Sequence, residues 1–263
     1  MGARTRHILS LSGGKDSAAL AVYLKDRIGD LEYVFCDTKK ELPETYEYLA
    51  RLEAFLGRPI VRLNDDRGFD HWLQLYGGYL PSSKMRWCTR QLKIKPFERY
   101  VGEDEAINYI GIRADEDREG YISTKPNLSA RYPFKEDGLR KADVLRLLEE
   151  AGLGLPSYYR WRSRSGCYFC FFQRKIEWVG LMENHPDLFA EAKAYEKVDD
   201  ATGTRYSWQH GEMLSDLAQP RRIADIRRKE PRKPAVVGGT LGVALGLAEP
   251  DPDEPQACLI CSL

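Results

Sequence analysis

The chain has 263 residues, 43% of them hydrophobic, enough for one medium domain or a domain with an appendage. Its 40 Lys and Arg balance its 40 Asp and Glu, so attraction to nucleic acid by overall charge is not indicated and only local basic patches remain. No run of about 18 apolar residues exists, so no membrane span is expected. Without a signal-peptide pattern a cytoplasmic location is expected, where six cysteines are thiols or metal ligands rather than disulfides.

Strand and helix patterns alternate through the first half. Residues 8–11, 32–36, 60–63 and 107–112 read as strands, and 15–28, 44–56 and the neighbourhood of 94–101 as helices. This order predicts an α/β fold over residues 1–135, with a Rossmann-like, doubly wound, mostly parallel sheet. Residues 136–217 read as a helical, cysteine-bearing part, with helices over 141–151, 176–183 and 186–198. From 218 the composition turns basic and proline-punctuated, then apolar, then acidic. This tail, 218–263, is expected to be a loosely structured, solvated linker until its last residues, Cys258-Leu259-Ile260-Cys261.

Between the first strand and helix lies Ser12-Gly13-Gly14-Lys15-Asp16-Ser17. Adjacent glycines let backbone N–H groups approach an anion, and the helix start adds free donors and the positive end of its dipole. Ser12 and Ser17 contribute hydroxyls and Lys15 a point charge, which together make a phosphate pocket. Asp16 either positions Mg²⁺ or holds the turn. Past the second strand, Cys36-Asp37-Thr38 places a carboxylate and a hydroxyl at the carboxyl end of the sheet, where a ribose or Mg²⁺ is commonly held. Pro43 and Glu44 start the following helix. After the fourth strand, Arg113 and Arg118 flank three acidic residues, and their guanidinium groups suit phosphate or sulfate. Arg86 and Lys93 are further candidates for the same anion.

The six-residue string is not a Walker loop. It resembles the PP-loop, Ser-Gly-Gly-x-Asp-Ser, of the ATP pyrophosphatase superfamily. Three further segments are similar, in order, to the phosphoadenosine phosphosulfate reductase branch: Asp37-Thr38 through Pro43-Glu44-Thr45-Tyr46, Arg86-Trp87-Cys88 through Pro96, and Gly111-Ile112-Arg113 through Arg118. The resemblance covers roughly residues 7–175. It implies that residues 12–17 hold the pyrophosphate part of ATP with Mg²⁺, that Lys15, Asp16 and Ser17 serve catalysis, that Asp37 and Thr38 contact the adenosine, and that Arg113 and Arg118 contact an anion.

Gly166-Cys167-Tyr168-Phe169-Cys170 is a Cys-x-x-Cys, a spacing that chelates zinc or iron. Relatives that carry a [4Fe-4S] cluster pair such a motif with two earlier cysteines. Here Cys88 is present, but Trp87 stands where its neighbour would be. The resemblance implies a cluster on Cys88, Cys167 and Cys170, and the terminal Cys-x-x-Cys is the expected source of a fourth ligand, Cys261 ahead of Cys258. A Cys₄ zinc site from the two Cys-x-x-Cys pairs, a three-cysteine cluster with one open iron, and free cysteines are the alternatives. Cys36 reads as packing, and His7, His71, His185 and His210 as structural. Arg160, Arg162 and Arg164 share one side if extended, to meet a phosphate backbone or balance a cluster.

Among branch members, the chain is most similar to the DndC and SspD type, ATP pyrophosphatases of DNA phosphorothioation that work with a cysteine desulfurase as sulfur donor. That implies DNA and other modification proteins as partners. Reduction of adenylyl sulfate is the alternative, although the catalytic Glu-Cys-Gly-(Leu/Ile)-His sequence of those reductases is absent. A nucleotide-binding redox subunit without turnover is the second alternative.

Overall fold

Strands β1 (Arg6–Leu11), β2 (Leu31–Cys36), β3 (Ile60–Leu63), β4 (Ala106–Tyr109) and β5 (Leu128–Arg131) form one sheet in the order β3-β2-β1-β4-β5, every neighbouring pair parallel. The structure, a computed structural model, describes residues 5–118, 123 and 125–230. The expected α/β, Rossmann-like architecture is what the chain adopts. Alternate residues of β1 and β2 face opposite sides, and both sides are buried, as parallel sheets require. Leu9, Leu11, Tyr33 and Phe35 enter one core, with helices α1 (Lys15–Leu24) and α2 (Pro43–Leu56). Ile8, Val34 and Cys36 enter another, with Phe97 and Val101.

Local sequence explains these elements. The alanine-rich run of α1 buries Ala18, Ala19 and Ala21, so the helix lies close on the sheet. Pro43 opens α2, and Gly57 ends it in the left-handed conformation, φ +63°. The helix expected near 94–101 begins earlier. It runs as α4 (Trp87–Thr89), a π-helical stretch (Arg90–Ile94) and α5 (Lys95–Val101). The wide turn falls just before Pro96, which has no N–H to continue an α-ladder.

Helix α3 (Gly68–Leu75) and strand β5 are elements that the sequence pattern does not announce. After α6 (Pro133–Glu136), α7 (Lys141–Glu150) packs Val144 and Leu148 into the core it shares with α1 and α2. A 3-10 turn (Ser157–Arg160) leads to α8 (Lys175–Asn184) and α9 (Pro186–Ala194). Helix α9 stops before the expected 198, because Lys197–Val198 pairs as β6 with β7 (Arg205–Tyr206).

The tail corrects an expectation. Its first part is not a loose linker but helix α11 (Pro220–Lys229), which follows α10 (Leu214–Leu217) of the helical part. Pro220 opens α11, Ile226 is buried in a further core with Ile223 against it, and Arg222 pairs with Glu212 at 2.5 Å. The remainder of the tail, with Cys258 and Cys261, lies outside the described residues. The core that α11 joins draws on both halves of the chain and is aromatic: Phe69, Trp72, Trp87, Phe169, Trp178 and Trp208 are all buried in it. Among the described residues no helix is long and apolar enough to cross a membrane.

Candidate active site

The loop of residues 12–17 leaves β1 at the carboxyl end of the sheet and enters α1. Ser17 Oγ accepts from Ser12 N–H at 3.0 Å and donates to the Gly14 carbonyl at 3.2 Å, and it lies 3.1 Å from Ser12 Oγ. Gly13 turns with φ +72°, and a Cβ there would meet Thr45 Cγ2 at 2.4 Å, so glycine is required twice over.

Charge is concentrated just behind the turn. Lys15 Nζ binds Asp16 Oδ2 at 2.9 Å, and Arg113 Nη1 binds Asp16 Oδ1 at 2.8 Å. Burial opposes ionisation of Asp16, but Lys15 and Arg113 prevail and hold its carboxyl down at about 2. Burial likewise opposes the charge on Lys15, and Asp16 outweighs it, keeping the ammonium protonated. Both oxygens of Asp16 are thus paired with cations, Lys15 on one side and Arg113 on the other.

Arg113, 2% exposed, also binds Asp115 at 2.9 Å and Glu116 at 3.0 Å, and Glu116 binds Arg118. Burial pushes the Glu116 carboxyl up, with the two arginines pulling the other way. Arg113 therefore acts on the loop through Asp16. Gly111 permits this approach: a Cβ there would lie 2.8 Å from the Asp16 carbonyl oxygen.

At the end of β2, Asp37 accepts from Tyr46 Oη and Lys39 N, each at 2.8 Å. Thr38 donates to Glu41 at 3.0 Å and lies 3.1 Å from Cys167 Sγ. The turn after β2 thus touches the Cys-x-x-Cys directly. Glu41, 6% exposed, receives the Cys167 S–H at 3.6 Å, and its second oxygen has no partner among the described residues. Burial, then Glu41, pushes the Cys167 thiol well up, against the pull of Lys93.

Cys88, Cys167 and Cys170 line one cavity, with Thr38, Lys93 and Phe169 among its other walls. The structure brings these three predicted ligands together. Three thiols on one cavity are a donor set suited to a thiophilic metal. Among the described residues, however, no three His, Cys, Asp or Glu side chains form a ready-made ion cage. Trp87, at the position of the missing cysteine, is 3% exposed and stacks on Tyr76 at 5.2 Å, so it is a core residue. Cys36 is packing as expected: burial pushes its thiol up to about 12.

The three arginines of the basic run do not share a face. Arg160 is exposed, Arg162 is 1% exposed and donates to the Gly166 and Cys167 carbonyls at 3.0 and 2.8 Å, and Arg164 reaches Cys170 Sγ at 3.5 Å. Extended alternation fails here because the segment begins in a 3-10 turn. His7 and His185 have structural partners, Tyr109 at 2.9 Å and Glu44 at 2.8 Å.

Sequence reasoning missed three residues against the loop. Tyr158 Oη donates to the Gly13 carbonyl at 2.8 Å, Tyr159 Oη accepts from Lys15 N–H at 3.2 Å, and Ser165 Oγ donates to Ser12 Oγ at 3.2 Å. The one available signal was their position just ahead of the Cys-x-x-Cys.

Residues 6–136 match the family model of the phosphoadenosine phosphosulfate reductase domain. The chain is 28% identical to an uncharacterized protein of Methanocaldococcus jannaschii, over 69% of this chain and 39% of that protein. It is 25% identical to the tRNA-specific 2-thiouridylase MnmA of Lactococcus lactis subsp. cremoris, over 81% of this chain and 68% of that one. The chain thus spans about two fifths of the length of the archaeal relative. A phosphoadenylyl-sulfate reductase structure from Candida auris, a phosphate complex, superposes with a TM-score of 0.49 at 13% identity, covering 62% of this chain and 81% of that one.

Proposed function

We propose that this chain, whose residues 6–136 match the phosphoadenosine phosphosulfate reductase domain, is an ATP pyrophosphatase of the PP-loop superfamily that activates an oxygen for replacement by sulfur. The observation that carries this reading is the loop itself: glycines at 13 and 14, two serine hydroxyls and a lysine kept charged, set at a helix N-terminus at the carboxyl end of a parallel sheet.

In this reading the acceptor oxygen attacks the α-phosphorus of ATP. The bond from that phosphorus to the bridging oxygen of the β-phosphate breaks, and pyrophosphate leaves with the electron pair. The loop N–H groups and Lys15 stabilise the charge growing on that leaving group. Arg113 and Asp16 hold the loop in place, and Asp37 and Thr38 receive the adenosine side. A sulfur nucleophile then displaces AMP from the acceptor. Mg²⁺ accompanies the phosphates as part of the substrate. Cys88, Cys167 and Cys170 would hold a [4Fe-4S] cluster, or zinc in its place; with Cys261 as fourth ligand every iron would be held by the protein, whereas three cysteines alone would leave one thiophilic iron open to carry sulfur.

The proposed acceptor is a DNA backbone oxygen, as the resemblance to DndC and SspD implies, with a cysteine desulfurase as sulfur donor and a cytoplasmic setting. A second reading, thiolation of a tRNA base, is favoured by the similarity to the thiouridylase.

The test is pyrophosphate release from ATP by anaerobically purified protein, with iron and sulfide quantified. Wild type should release pyrophosphate and Lys15→Ala should not, a loss of about 100-fold or more. Normal release by Lys15→Ala would end the assignment.

A further inference from the structure

We propose that Tyr159 and Ser165 form the far wall of the phosphate pocket, Tyr159 donating its hydroxyl hydrogen to the pyrophosphate group and Ser165 turning its single hydrogen from Ser12 to the same group. The inference rests on the ATP reading and names residues of the second half of the chain as part of the same site.

The first N–H groups of α1 have no partner within the helix and point toward an anion. Tyr159 Oη occupies one of them, on Lys15, at 3.2 Å. An oxygen on that donor stands where a phosphate oxygen would be received. The ring also lies beside the charge such an anion would meet, with Lys15 Nζ 5.5 Å from its centroid. Burial pushes the phenol pKa up, so the hydroxyl keeps its proton. A phenol that accepts from Lys15 N–H retains its own O–H to give.

Ser165 stands in the neighbouring space. A Cβ on Gly14 would lie 2.6 Å from Ser165 Oγ and 3.3 Å from Tyr159 Oη, so both hydroxyls face the opening this glycine leaves. Ser165 Oγ also continues the hydroxyl chain through Ser12 to Ser17, at 3.2 and 3.1 Å.

The wall is anchored. Tyr158, wholly buried, bonds the Gly13 carbonyl and stacks on Tyr159 with centroids 4.9 Å apart. Glu177, also wholly buried, accepts from Ser163 N at 2.7 Å and Ser163 Oγ at 2.6 Å, pinning the chain two residues before Ser165. Hydroxyls held this way lose little freedom when a ligand arrives, which favours donation to a highly charged group.

The experiment is calorimetric titration of the full chain with inorganic pyrophosphate plus Mg²⁺, and separately with adenosine. Binding of pyrophosphate by wild type, lost in Lys15→Ala, tests the ATP reading by itself. With that in hand, Tyr159→Phe should weaken pyrophosphate binding about 10-fold or more, with adenosine binding and the melting temperature unchanged. Ser165→Ala should weaken it too, and decides the matter if the Phe variant does not fold. Pyrophosphate affinity equal to or above wild type in Tyr159→Phe overturns the proposal, and so does an equal loss of adenosine affinity.

Discussion

The phosphate loop and the cysteine cavity lie at the two ends of one segment, 157–170, and they are built in opposite ways. The loop is six consecutive residues whose hydroxyls and charges satisfy one another at 2.8 to 3.2 Å, with Arg113 as the distant strut. The cavity draws its thiols from two remote stretches. Cys88 belongs to α4, whereas the pair at 167 and 170 follows the 3-10 turn. Aromatic packing positions them instead: Trp87 precedes Cys88, Phe169 lies between the other two, and Phe69 touches both rings at 5.0 and 4.5 Å. A site made of adjacent residues is shaped by local hydrogen bonding. A site made of distant residues is only as well formed as the core that carries it.

Removing the aromatic support breaks this contrast most severely. Trp87→Ala deletes a buried indole that stacks on Tyr76 and donates to the Tyr79 carbonyl at 2.9 Å. Such a deletion costs about 3–5 kcal/mol, which lowers the melting temperature by roughly 10 °C in a chain of this size. Metal content should fall with it, while pyrophosphate binding at low temperature stays close to wild type. Loss of both together would show that the two sites share one support.

Gly111→Ala is the converse cut. Its Cβ would be pressed against the Asp16 carbonyl oxygen at 2.8 Å and Ser17 N at 3.1 Å, backbone atoms that cannot swing aside. Pyrophosphate release should drop about 100-fold, roughly 2.7 kcal/mol in the barrier, with metal content unchanged. Release near the wild-type rate would mean that the end of β4 and the loop are not locked together.

The same contrast explains how much was legible in the sequence. The parallel sheet was readable because strands buried on both faces give continuous apolar runs, and the loop because its chemistry is contiguous. The partners of Cys167 were not readable. Thr38 and Glu41 belong to the turn after β2, and only the tertiary fold sets them beside a thiol more than a hundred residues later. Tyr159 and Ser165 were invisible for the same reason. The basic stretch after 218 misled in a different way. Its arginines suggested a solvated linker, but Ile223 and Ile226, one turn apart, give α11 a buried edge, and Arg222 and Arg227 pair with Glu212 and Glu183.

The smallest predicted effect sharpens the comparison through pH. Asp16 sits between Lys15 and Arg113, and its carboxyl falls from the ordinary 3.8 to about 2. A carboxyl whose pKa is lowered by folding contributes stability that is fully present above its unfolded value and is lost as pH falls toward the folded one. The contribution is about 2 kcal/mol at neutral pH, and it should disappear between about pH 4 and pH 2. Denaturant melts of wild type and Asp16→Asn from pH 7 downward should therefore converge across that window. Glu116, whose carboxyl burial pushes up, works the other way: its protonation as pH falls favours the fold. Asp16 is one of the charges that raise it, so in Asp16→Asn this opposing contribution becomes smaller, and the difference between the two proteins reads the coupled pair. Curves that stay parallel down to pH 2 would show that the Lys15–Asp16–Arg113 cluster adds no stability, and that the loop is held by its hydroxyls and backbone bonds alone.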